Sequence, residues 1–183
     1  MLINALKSFL LLIDMQEKLL PAMANAQEAE HRCGILLEAA KTLDVPVMTS
    51  EQYPKGLGHT VPSLQDKLGN APVFEKSAFS CWRDEAMKAA LIAQHEGGRP
   101  QAIMAGIESH VCVLQTAVDL AQSGFAVYAV ADAMSSRAVS SIPLAHDRMR
   151  QEGVEIVSTE MAVFELLGRA GTPAFKALSA LIR

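Results

Sequence analysis

The sequence predicts a three-layer α/β/α domain with a largely parallel, Rossmann-like sheet of about six strands. Three observations carry that prediction. Short apolar runs recur along the chain without polar alternation, as in strands covered on both faces. Amphipathic stretches of helical period separate them. The chain has 183 residues, 50% of them hydrophobic, which suits one domain. A chain of that size removes roughly 70% of its unfolded surface from water without disulfides or a structural metal. Residues 1–183 therefore read as a single domain.

In order along the chain, Ser8-Phe-Leu-Leu-Leu-Ile-Asp14 reads as the first buried strand. It does not read as a signal peptide. Lys7 interrupts the apolar start, the unbroken apolar core is only Phe9 to Ile13, and no small-residue cleavage site follows. Gln27 to Leu43 carries Ile35, Leu36, Ala39, Ala40 and Leu43 at helical spacing. A second strand follows at Val45–Thr49. Glu51 to Pro72 is the one long irregular segment, and a loop of that length in a compact domain is usually functional. Further strands are expected at Val73–Phe74, Ala102–Ala105, Ala126–Val130 and Val154–Val157. Helices are expected over Arg83 to His95, Ser109 to Gln122, Ala138 to Gln151 and Met161 to Leu167, then from Pro173 with proline in the first turn. Crossovers between parallel strands should be right-handed.

Composition excludes several classes. Lys+Arg number 16 against 20 Asp+Glu, for a net charge of −4, so no nucleic-acid partner is expected. No stretch reaches the roughly 18 apolar residues of a membrane span, so no membrane partner is expected either. Cys33, Cys81 and Cys112 form neither a CxxC pair nor a zinc spacing, which fits a reducing, cytoplasmic setting. His31, His59, His95 and His146 show no ligand pattern. Neither GxGxxG after the first strand nor GxxxxGK[ST] occurs, so nucleotide folds are unsupported.

Ligands of open parallel sheets bind outside the carboxyl ends of the strands. Asp14 follows the first strand, Lys76 the third, and Cys112 stands in the first turns of the helix after the fourth. A carboxylate, an ammonium and a thiol thus converge on one edge. A thiol gains nucleophilicity from a helix N-terminus and a nearby cation. Asp14 would take its proton, Lys76 would stabilise the charges, and backbone N–H groups would hold a developing oxyanion. Each residue also has a plainer role: the cysteine as a small hydrophobe, the aspartate as a turn residue, the lysine as a solvated charge. Spacing alone leaves both readings open.

Three segments resemble the isochorismatase-like cysteine hydrolase superfamily over nearly the whole chain. They are Leu11-Leu-Ile-Asp-Met-Gln16, Glu75-Lys-Ser-Ala-Phe-Ser80 and Gly106-Ile-Glu-Ser-His-Val-Cys-Val113. Glu51-Gln-Tyr-Pro-Lys-Gly-Leu-Gly58 and Ala131-Asp-Ala-Met-Ser-Ser-Arg137 resemble the subgroup of isochorismatase domain-containing proteins. The resemblance implies a catalytic triad of Asp14, Lys76 and Cys112. It also implies a cis peptide at Ile107–Glu108, with the N–H groups of Glu108 and Cys112 forming an oxyanion hole. True isochorismatases lack this cysteine, so vinyl-ether hydrolysis is not expected.

Metal-dependent nicotinamidases of the superfamily carry an aspartate and a histidine two residues apart after the second strand. Here Glu51 and Tyr53 stand in those places, so no metal and no cofactor are expected. Gln16, Tyr53, Phe79, Trp82 and His110 are candidates for substrate contact, with core packing or helix capping as the plainer alternatives. Asp132 reads as a cap for the following turn. The leading expectation is a cysteine hydrolase cleaving a C–N bond of a small amide or carbamoyl compound. A non-catalytic or redox-sensing oligomer of the same fold and a nicotinamidase are the alternatives. The expected partners are a small-molecule substrate and further copies of the chain, as a homo-oligomer.

Overall fold

The computed structural model describes residues 1–182. Its elements are β1 (Ser8–Ile13), α1 (Ala26–Thr42), β2 (Val47–Gln52), α2 (Pro54–Leu57), α3 (Pro62–Leu68) and β3 (Val73–Lys76). Then come α4 (Glu85–Glu96), β4 (Gln101–Ile107), α5 (Leu114–Gln122), β5 (Ala126–Ser135), α6 (Ser141–Gln151), β6 (Glu155–Val157), α7 (Thr159–Leu167) and α8 (Pro173–Ser179). The six strands pair in parallel in the order β3-β2-β1-β4-β5-β6. The α/β fold expected from strand–helix alternation is the fold observed.

Successive residues of a strand point to opposite faces, and β1 shows what that does here. Leu10 and Leu12 join Ile35, Leu36, Leu64, Val163 and Leu178, so α1, α3, α7 and α8 cover one face. Phe9, Leu11 and Ile13 join Met87, Leu91, Leu114, Ala117, Ala145 and Met149, so α4, α5 and α6 cover the other. Every residue of β1 is buried, which is why its sequence shows no polar alternation.

Two expectations are corrected. The second strand begins after Pro46 and runs three residues further than its apolar pattern, because Ser50, Glu51 and Gln52 pair with the ends of β1 and β3. The segment Glu51 to Pro72 is not irregular throughout: it holds α2 and α3, each with proline in its first turn. Pro fits there because its missing N–H would have no intrahelical partner.

Chain order departs from β1 to one side, through β2 and β3, then returns to β4 and continues to the other side. The reversal lies between β1 and β4, the place where open α/β sheets form their crevice.

Candidate active site

The two strand ends at this reversal are held close by a glycine. Gly106 has φ 123°, and a Cβ built there would lie 2.1 Å from the Ile13 carbonyl oxygen. Only glycine lets β4 approach β1 that closely in that conformation. One residue after Ile13, Asp14 turns left-handed with φ 52°, a region that aspartate tolerates better than most side chains. On the β4 side, the Ile107–Glu108 peptide is cis, as the resemblance implied. The chain then enters a π-helical turn at Ser109–Val113, which places Cys112 ahead of α5. The N–H groups of Val111 and Val113 donate to the Glu108 carbonyl at 3.1 and 3.2 Å.

Asp14 is fully buried, as is the Lys76 side chain, and Cys112 is 5% exposed. Lys76 Nζ donates to Asp14 Oδ2 at 2.7 Å and Gln52 Oε1 at 2.7 Å, and it reaches the carbonyls of Phe79 at 3.1 Å and Ala78 at 3.3 Å. Its three protons face four acceptors, leaving none for a substrate. Ser50 Oγ donates to the other carboxylate oxygen, Asp14 Oδ1, at 2.7 Å. Asp14 is thus gripped on both oxygens.

Electrostatics follow from this geometry. Burial works against the Lys76 charge, yet the Asp14 carboxylate outweighs it and raises the lysine above its ordinary value. The Cys112 thiol is pushed far up, first by burial and then by the Asp14 charge, with Lys76 opposing; Asp14 also acts on it as a hydrogen-bond acceptor. The resting site therefore favours a protonated thiol facing a carboxylate. The thiolate expected from the lysine is not what these surroundings favour, because desolvation and the Asp14 charge outweigh the lysine. Burial also lifts Cys81, to about 11, and Cys33 further.

The other candidates fall in different places. Gln16 is buried and wholly engaged in structure. Its amide donates to the carbonyls of Gln52 and Gly58 and accepts from Gln52 N, so it is not free for substrate. Trp82 is partly buried and packs edge-on against Phe125 at 5.8 Å, at the margin of the core. His110 Nδ1 pairs with Ser136 Oγ at 2.9 Å. Tyr53 and Phe79 are exposed, 61% and 53%, and both adjoin Lys76: Tyr53 N donates to the Lys76 carbonyl, and the Phe79 carbonyl receives the ammonium. The Glu108 side chain accepts from the Arg137 backbone N–H at 3.0 Å and from its guanidinium. Contrary to expectation, Asp132 does not cap the turn that follows it but accepts from Thr159 N and Oγ1 at the start of α7, because the end of β5 lies beside that helix. A cavity of about 380 Å³ between α1 and α3 contains none of the triad.

A metal does not fit at Glu51. One of its oxygens accepts from Thr60 N at 2.7 Å and Thr60 Oγ1 at 2.8 Å, and the other meets His59 Nδ1 at 2.9 Å. One carboxylate and one imidazole fall short of the three or four ligands a metal requires. Instead Glu51 ties down the chain after α2, which also pairs with residues 15–18 through Glu17 N to His59 O and Val61 N to Met15 O.

Sequence reasoning missed Ser50 and Gln52, the groups that hold Asp14 and Lys76. A signal was present: a Ser-Glu-Gln run closing an otherwise apolar strand, in a register where polar side chains must find partners.

Residues 8–161 match the Isochorismatase domain family. The secreted isochorismatase effector Isc1 of Phytophthora sojae is 37% identical over 96% of this chain and 84% of its own length. Isochorismatase domain-containing protein 1 of Salmo salar is 39% identical over 93% of this chain, which spans 59% of that protein. The solved structure of the MAR1 ribonuclease from Caenorhabditis elegans superposes with a TM-score of 0.92, at 37% identity, over 100% of this chain and 92% of that one. Fold, motif order and these relatives agree, and the chain belongs to the isochorismatase family, with that family's hydrolase fold.

Proposed function

We propose that the protein is a cysteine-dependent hydrolase of a C–N bond in a small amide or carbamoyl compound. The observation that carries this reading is a thiol facing a carboxylate that is locked to a buried ammonium at the crevice between β1 and β4. A scaffold would not need to bury those three groups together, since burying charge costs stability unless it is paired.

The proposed steps are as follows. Asp14 takes the thiol proton as Cys112 Sγ attacks the carbonyl carbon. The oxyanion forms against the backbone N–H groups of Glu108 and Cys112, where one such donor is worth roughly 3–4 kcal/mol in other acyl-transfer enzymes. The C–N bond breaks, and Asp14 returns the proton to the departing nitrogen. A water then loses a proton to Asp14 and attacks the thioester; the C–S bond breaks, the acid leaves, and Cys112 regains its proton. Throughout, Lys76 stays charged and balances the carboxylate without touching substrate.

No cofactor enters this scheme. The reading keeps a cytoplasmic homo-oligomer, supported by unpaired thiols that suit a reducing compartment. Among the described residues no helix is long and apolar enough to cross a membrane. The excess of acidic over basic residues supports a small substrate over a polyanion.

The test is a panel of primary amides and carbamoyl compounds, nicotinamide included, assayed for ammonia or amine release with and without a chelator. Wild type should turn over at least one member, insensitive to chelation, and Cys112→Ala none. Turnover by Cys112→Ala, loss of turnover on chelation, or cleavage of an RNA oligonucleotide by wild type and not by Cys112→Ala would overturn the proposal.

A further inference from the structure

The cycle proposed above requires Asp14, a fully buried residue, to alternate between carboxylate and carboxylic acid. Each form needs a different neighbour. A carboxylate accepts only, whereas the acid must also donate. Lys76 on Oδ2 is a permanent donor and suits the charged form alone. Ser50 on Oδ1 differs, because a hydroxyl carries one proton and two lone pairs. It donates to the carboxylate and, after rotating, accepts from the acid.

We propose that Ser50 is a positioning residue that holds Asp14 in one orientation through both protonation states and sets the pH at which Asp14 becomes able to accept the Cys112 proton. The inference rests on the cysteine-hydrolase reading and extends it to a residue outside the triad.

The geometry is specific. Ser50 lies directly across from Ile13 in the β1–β2 register, and its carbonyl accepts from Asp14 N at 3.1 Å while its hydroxyl donates to the side chain. Main chain and side chain of Asp14 are therefore fixed by one residue. Both partners are fully buried, so water cannot replace the hydroxyl. The ionisable groups facing Asp14 are Lys76 from β3, Cys112 from the turn after β4 and Cys81 from the turn before α4. Cys81 is a neutral thiol at physiological pH, and Lys76 keeps its charge there. Neither changes state across the range in which a carboxylate titrates.

Removing the hydroxyl deprives the carboxylate of one donor. A hydrogen bond to a charged buried group corresponds to a 10- to 100-fold change in proton affinity, or about one to two pH units. The sign is upward, since loss of a donor disfavours the charged form.

The experiment measures alkylation of Cys112 by iodoacetamide, located by peptide mapping, between pH 4 and 9 in the full-length protein. In wild type the rate should fall on an acid limb as Asp14 loses its ability to accept a proton. Asp14→Asn should abolish that limb. Ser50→Ala and Ser50→Gly should each move the limb up by about one to two pH units, and Ser50→Thr, which keeps the hydroxyl, should move it back. Two deletion variants guard against a folding defect in either, and thermal melts confirm that each is folded. A limb that stays in place in the folded deletion variants, while Asp14→Asn removes it, overturns the role of Ser50 and leaves the hydrolase reading standing. A profile that Asp14→Asn leaves unchanged overturns the base assignment itself.

Discussion

Replacing Lys76 with methionine isolates the cost of one buried charge. The Nζ–Oδ2 separation is 2.7 Å and both side chains are fully buried. At an effective dielectric constant of 20, the attraction at that distance is about 6 kcal/mol. Desolvation of the two ions offsets most of it, so the pair adds little net stability. Truncating one partner differs, because the Asp14 carboxylate stays behind with neutral neighbours, Ser50 and the Cys112 and Cys81 thiols. Losses of about 3–5 kcal/mol are typical for such a half-removed pair. Against a total of roughly 5–15 kcal/mol, that is a large fraction. With a urea slope of about 2 kcal/mol/M, the midpoint should fall by about 2 M. The double variant Lys76→Met/Asp14→Leu removes both charges and should regain most of the loss. Because the folded lysine lies above its ordinary 10.5, its contribution is complete below that pH and is lost as pH rises through the folded value. In wild type the lysine's contribution should therefore be unchanged from pH 6 to 9 and be lost only in alkali. Equilibrium urea unfolding followed by circular dichroism gives all three numbers. A single variant within 1 kcal/mol of wild type, or a double variant no more stable than the single, would refute the reasoning.

Three further outcomes are expected. Gly106→Ala should destabilise the fold by several kcal/mol, measured by thermal unfolding, because its Cβ would fall 2.1 Å from a backbone oxygen and φ is 123°. Glu51→Ala strands the buried Thr60 N–H and hydroxyl, so about 1–3 kcal/mol should be lost, with faster hydrogen exchange over residues 53–61. In the native protein at pH 8, iodoacetamide should modify Cys112 before Cys81 and Cys33, because Cys112 is 5% exposed and has the Asp14 carboxylate as a proton acceptor, whereas the other two thiols are fully buried; peptide mapping after timed quenching gives the order.

Much of the fold is written in the chain's periodicity. Buried parallel strands are apolar throughout, and Phe9 to Ile13 or Ala102 to Ala105 leave little choice of structure. The meeting of the three candidate residues has a related reason: Asp14 follows β1, Lys76 ends β3 and Cys112 stands in the turn after β4, so topology alone sends them to one edge. What escaped notice has physical causes. α2 and α3 span four and seven residues, too short for a helical period to emerge. The thiol's protonation depends on how deeply Cys112 is buried, and no local pattern reports that depth. Glu51 looks like half of a metal site until His59 and Thr60, eight and nine residues on, return to occupy its oxygens. Gln16 looks like a substrate contact until the same returning segment claims its amide.

The grip on Lys76 has an evolutionary consequence. Two of its four acceptors are the main-chain carbonyls of Ala78 and Phe79, while Phe79 itself is 53% exposed. Carbonyls are common to every amino acid, so substitutions at 78 and 79 leave the ammonium's anchorage unchanged as long as the backbone keeps its path. The segment thereby divides its labour along the peptide: the main-chain atoms hold the ammonium, and the side chains are left free to vary. Side chains at this position can therefore change by single mutations without disturbing the buried ion pair, and a library confined to residue 79 should be rich in folded, charge-intact variants.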